Sequence, residues 1–154
     1  MAATAFWFGK FFCNVMGGET AGESSFVDYL SDTMKYLLFT SSYVPNQNTD
    51  EFLSTPRANE VSGPGYTANG VTLTTKTLSY ATKVTTLDAD DVSWTVATFT
   101  TRIGVICCYT NSVAVSDATR PLLLWQDFGA DQSPSGGTLT LTMNASGIAT
   151  ITVA

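Results

Sequence analysis

The sequence predicts an all-β protein: an antiparallel β-sandwich or jelly-roll-like domain of about eight strands, with one or two short helices and an apolar N-terminal arm. Three observations carry that expectation. Near the C-terminus, Leu139, Leu141 and Met143 alternate with Thr138, Thr140 and Thr142, the period of a half-buried strand. The runs Ile103–Tyr109 and Leu122–Phe128 are apolar at both parities, as strands covered on both faces are. Turn clusters such as VSGPGYTANG (61–70) and GADQSPSGG (129–137) punctuate the strand-like segments.

Taken in order, MAATAFWFGKFFCNVMGG opens with an apolar run of about ten residues, far short of the ~20 that cross a bilayer. No basic stretch precedes it, so it does not read as a secretory signal. Residues 1–18 are expected to form an arm or short helix that buries its aromatics on protein, its own or a neighbour's. Residues 19–154 are expected to form a single β-sandwich domain. DTMKYLLFT (32–40) reads as a two-faced strand. After the polar loop SSYVPNQNTD, Asn48 or Thr49 is placed to cap a short helix through DEFLS that Pro56 stops.

VTLTTKTLSY (71–80) changes parity between Leu73 and Leu78, which predicts a β-bulge near Thr74–Lys76. Further strands are expected at Val84–Leu87, Val92–Phe99, Thr101–Thr110 and Ile148–Val153. The segment NSVAVSDATR (111–120) reads as a loop.

Composition narrows function by exclusion. The chain has 154 residues, 44% hydrophobic and only 13% charged, which supports a packed core rather than disorder. Its net charge of −6 argues against nucleic acid and anionic membranes as partners. There is no histidine, and neither a phosphate-binding glycine loop nor a CxxC pair. Cys107 and Cys108 are neighbours in a strand and face opposite ways, so with Cys13 they read as buried thiols.

Asp88, Asp90 and Asp91 offer oxygen donors of the kind calcium takes, but without EF-hand spacing. They are read instead as a solvated turn between strands, where Asp is favoured for local hydrogen bonds to the backbone. Glu19, Glu23 and Asp28 lack a spacing that fixes a carboxylate pair, and Asn144-Ala145-Ser146 is a chance-length sequon. No catalytic, cofactor-binding or metal-binding residue is assigned, no cofactor is expected, and the chain is read as non-enzymatic.

The run from SSYVPNQNTDEFLS through EVSGPGYTANGVTLTTKTLSY, then LDADDVSW, then DFGADQSPSGGTLTLTMNASGI, resembles a family of small structural proteins encoded by tailed bacteriophages. It covers the chain from about Asp32 onward; FWFGKFFCNV and ICCYTNSVAVSDATR depart from the family pattern. The resemblance implies a virion component, assembled in the host cytoplasm, with no catalytic residues to carry over. Small size, acidity and a β-rich fold favour a capsid decoration (cement) protein that binds the major capsid protein. A homotrimer with contacts through Ser41–Asn48 and Asn111–Arg120 is the expected assembly. The alternatives are a tail, connector or head-fibre component, or a host-surface or carbohydrate-binding module, with Trp7, Trp94 or Trp125 available to stack on sugars.

Overall fold

A computed structural model describes residues 4–16, 27–110 and 116–153. Among these, the elements in chain order are β1 (Thr4–Trp7), α1 (Gly9–Met16), β2 (Thr33–Phe39), β3 (Val71–Thr72), β4 (Thr77–Ala81) and β5 (Val84–Asp88). β6 (Val92–Thr98), β7 (Thr101–Thr110), β8 (Leu122–Gln132), β9 (Ser135–Leu141) and β10 (Ala149–Thr152) follow. The protein is an all-β, sandwich-like domain whose strand pairs are all antiparallel. A five-stranded sheet runs β1-β8-β7-β2-β3, a three-stranded sheet β10-β5-β4, and β6 pairs with β9.

The two-faced sequences occupy the centre. β7 lies between β2 and β8, and its two faces pack in two different cores, which is why both parities are apolar. On one face Met34, Tyr36, Leu38, Ile106 and Leu124 pack in one core with Leu87, Val92, Trp94 and Leu141 of the smaller sheets. On the other, Leu37, Phe39, Ile103, Val105 and Leu122 pack under Phe8, Tyr43 and Leu53. Each such fully buried side chain contributes roughly 1.5–3 kcal/mol. Cys107 belongs to the second core and Cys108 to the first, as their adjacency in a strand requires. In the two-faced and alternating runs, Ile103, Val105, Leu122, Leu124 and Leu141 are buried, whereas Leu139 is only half-buried.

Several expectations need correction. The parity change after Leu73 is a change of sheet, not a bulge: β3 closes the five-stranded sheet, and β4 starts the three-stranded one. Bulges occur instead in the β2–β7, β6–β9 and β7–β8 pairings. DEFLS forms no helix. Buried Asp50 accepts the Tyr43 hydroxyl at 2.8 Å and the Asn46 amide at 2.9 Å, while Phe52 bridges Pro121 in an extended strip. Pro56 opens a 3-10 turn, Arg57–Asn59, rather than ending a helix. GADQSPSGG is mostly strand, since β8 runs to Gln132 and β9 begins at Ser135.

The glycine-rich stretch 61–70 packs backbone on backbone. Gly65 has φ +81°, and a β-carbon there would meet the Thr95 and Val96 carbonyls at 2.6 and 2.7 Å. Only glycine fits that contact. Pro64 accepts the Thr98 amide at 2.9 Å, which locks the loop to the end of β6.

Thr4–Met16 packs on its own domain. β1 pairs with β8 through four register positions, from Thr4↔Asp127 to Trp7↔Leu124, and Phe8 is fully buried.

Candidate functional site

An ion network fixes the loops that cover the outer face of the large sheet. Arg57 holds Asp117 with two bonds, Nε to Oδ2 at 2.5 Å and Nη2 to Oδ1 at 2.7 Å, and also pairs with Glu60. Glu60 in turn accepts the Tyr66 hydroxyl and the Asn69 amide, both at 2.7 Å. Arg120 bonds Asp117 at 2.8 Å and stacks on the Tyr109 ring at 3.7 Å. Bidentate arginine–carboxylate bonds of this kind are directional as well as strong. The Arg57 bond holds the Asp117 carboxyl below its ordinary pKa, and the same bond raises the guanidinium.

Two apolar surfaces lie elsewhere on the described residues. The first is a cleft of about 470 Å³ between α1 and the three-stranded sheet. Phe11, Phe12 and Val15 lie on one side of α1, at helical spacing. Trp7 stacks on Phe11 with ring centroids 5.3 Å apart and leans on Phe12 at the same distance. Leu78, Leu87 and Ile151 form the opposite wall. Tyr29 closes the floor, donating its hydroxyl to the Asp88 carbonyl at 3.0 Å. Leu78 stays 48% exposed, and Tyr80, two residues on along the same strand face, is 68% exposed.

The second surface is a hollow of about 260 Å³ under the loop at residues 41–45, lined by Tyr43, Val44, Pro45, Ile103 and Trp125. Phe6 stacks on Trp125 at 4.6 Å, and Arg102 pairs with Asp127 at the rim. Val44, at 79% exposure, projects from this loop into solvent.

The carboxylates singled out in the sequence do not converge. Asp88 accepts its neighbour Ala89's amide at 3.0 Å, Asp90 accepts the Thr74 and Thr75 hydroxyls, and Asp91 accepts the Met143 amide at 2.8 Å. Asp90 and Asp91 thus tie different segments, 74–75 and Met143, while Asp88 bonds the amide beside it. Among the described residues no group of three His, Cys, Asp or Glu is placed to hold a metal ion. Asp28 caps its own turn through the Leu30 and Ser31 amides, while Glu19 and Glu23 lie outside the described residues. Asn144 is exposed and accepts the Ser146 amide at 2.8 Å.

Burial pushes the Cys108 thiol up to about 12 and the Cys107 thiol higher still, so neither is a thiolate near neutral pH. Trp94 is buried in the core, and Trp7 and Trp125 are half-buried with their rings already stacked on phenylalanines. Of the two loops expected to meet a partner, Ser41–Asn48 forms the rim of the second hollow. Residues 111–115 of the other lie outside the described residues, and its remainder carries Asp117 and Arg120 of the ion network. No helix among the described residues is long and apolar enough to cross a membrane.

Sequence reasoning missed both surfaces, because each joins residues far apart in the chain. Trp7 and Ile151 share the cleft across almost the whole sequence. The aromatic density of residues 6–12 was the one local signal, and it indicated burial without a destination. No family model matches the chain, and no curated protein or solved structure is significantly similar to it.

Proposed function

We propose that this chain is a non-enzymatic structural protein of a tailed-bacteriophage virion, and within it a capsid decoration protein that binds the assembled major capsid protein. The sequence support is the resemblance of its motif string to that family of small phage proteins. The observation that carries the reading is how the chain uses that string. SSYVPNQNTDEFLS becomes rigid cover for the outer face of the large sheet, while EVSGPGYTANG packs on the opposite core and the end of β6, and Arg57, Asp117 and Glu60 tie the two segments together. The same cover holds Val44 and Pro45 out beside the Trp125 hollow. An uncharged, ordered apolar projection of this kind can meet a protein partner without desolvating ions.

A binding test follows directly. Purified protein mixed with capsids of the phage that encodes it should co-sediment. Val44→Glu should weaken that binding at least tenfold while leaving the melting temperature unchanged, because Val44 touches solvent and not the core. Equal binding by Val44→Glu would remove the loop from the contact. Failure of the unaltered protein to bind capsids would turn the assignment toward a tail, connector or head-fibre position.

A further inference from the structure

β4 and β5 are joined by the two-residue turn Thr82-Lys83, and both residues have positive φ, 51° and 67°. That is the type I′ hairpin, in which the pair flanking the turn exchanges both backbone hydrogen bonds. Alternation then fixes the rest of the ladder. Ala81, Ser79 and Thr77 bond to Val84, Thr86 and Asp88, and the backbone N–H and C=O groups of Leu78 and Tyr80 point away from β5.

β4 is the last strand of its sheet, and all five of its residues are exposed. The outward-pointing backbone groups therefore belong to the two residues that also expose large apolar side chains. Natural sheet edges are commonly blunted by a charge, a proline or a bulge. TLSYA contains none of these. The nearest charge, Lys76, is turned inward, donating to the Asp32 carbonyl and lying over the Tyr29 ring.

The edge is complementary to itself. Placing a twofold axis at Ser79 sets Leu78 opposite Tyr80 of a second copy and Tyr80 opposite its Leu78. Those are the residues with free backbone groups, so the pairing closes four N–H···O bonds. It also stacks an aliphatic side chain on an aromatic one in each pair. The two apolar clefts open on the same face of the joined sheet, with the Leu78–Tyr80 pairs bridging them.

We propose that β4 is a self-association edge, through which two copies of this chain pair antiparallel about Ser79 to make one continuous six-stranded sheet. The contact is a property of the isolated chain and does not rest on the virion reading. A ladder this short lies at the small end of protein interfaces, so the dimer is weak in dilute solution and grows where copies are concentrated. The symmetry is twofold, in place of the threefold expected from the loops.

Ser79 provides the test. It would face its own copy in a non-hydrogen-bonded pair with Cα atoms about 4.5 Å apart, within disulfide reach. In a Cys13→Ala background, Ser79→Cys should oxidise to a covalent dimer at least tenfold faster than Ser93→Cys, which is also exposed, on the separate strand β6. Adding Tyr80→Lys to Ser79→Cys should slow cross-linking at least tenfold, with an unchanged melting temperature showing that the fold is intact. The unaltered chain should sediment as a concentration-dependent monomer–dimer mixture. Equal rates for the two cysteines, no effect of Tyr80→Lys, or a trimer in sedimentation would overturn the proposal.

Discussion

Tyr36 lies across the backbone of Gly104 and donates its hydroxyl to Gln126 Oε1 at 2.5 Å. Three adjacent strands are linked by that one side chain, β2 to β8 over β7, at the centre of the main core. Gly104 is needed because a β-carbon there would occupy the space of the tyrosine ring. Burial raises the Tyr36 pKa well above its ordinary value, so the hydroxyl remains a donor throughout the accessible pH range.

Gly104→Ala should therefore destabilise the protein by about 1–3 kcal/mol through overpacking. Tyr36→Leu in the same chain should recover part of the loss, since it removes the ring that clashes. Tyr36→Phe leaves the ring in place and strands Gln126, at a cost of about 1–3 kcal/mol. Urea melts of the single and double variants measure the coupling, and strictly additive losses would contradict the contact.

Acid should weaken the fold through the carboxylates paired with arginine. The Asp117 pKa is lowered chiefly by its hydrogen bond to Arg57, and the Asp127 pKa chiefly by its bond to Arg102. A carboxyl with a depressed folded pKa stabilises fully above its unfolded value of about 3.9, and that stability is lost as pH falls through the folded value. Thermal melts from pH 6 to pH 2 should show a decline concentrated below about pH 4. Asp117→Asn should be less stable at neutral pH and show a flatter acid decline.

Val96 has φ 53° and 66% exposure, an unusual state for a β-branched residue. The Trp94–Ala97 bulge in β6 turns it outward, where Gly65 packs on its carbonyl. Asparagine adopts this conformation far more readily, so Val96→Asn should stabilise the chain by about 1 kcal/mol. A melting temperature below that of the unaltered protein would contradict this.

At the N-terminus, Phe8 is 0% exposed and Phe6 39% exposed. Phe8→Ala should cost about 3–5 kcal/mol, and Phe6→Ala much less. Deleting residues 1–15 removes the edge strand along with Phe8, so the truncated chain should unfold more readily, as chemical denaturation will show.

Calcium should leave the melting temperature where a chelator leaves it, because Asp88, Asp90 and Asp91 each serve a separate backbone or hydroxyl donor. A rise of several degrees with calcium would show a bound native-state ion instead.

The strands at the centre were legible in the sequence because burial on both faces writes an apolar residue at every position, as in Leu37–Phe39 and Val105–Cys108. What was not legible depended on partners distant in the chain. A parity change at Thr74–Lys76 looks the same whether the strand bulges or crosses to another sheet. Local rules favoured a helix at DEFLS, but Leu53 is fully buried and its amide bonds the Arg120 carbonyl at 3.0 Å, contacts that override propensity. β1 read as an arm because its pairing with β8 spans most of the chain length. For the candidate site, the exposed loop at residues 41–48 could be found in the sequence by its polarity, whereas the aromatic cleft required the fold.

Imaging of purified phage particles, combined with counting of this chain by quantitative mass spectrometry, tests the central claim most directly. A capsid decoration protein should appear as ordered density on the outer surface of the head, in hundreds of copies per particle and at regular positions over the major capsid protein. Particles that contain none of the chain, when the same phage expresses it during infection, would contradict a structural role in the virion.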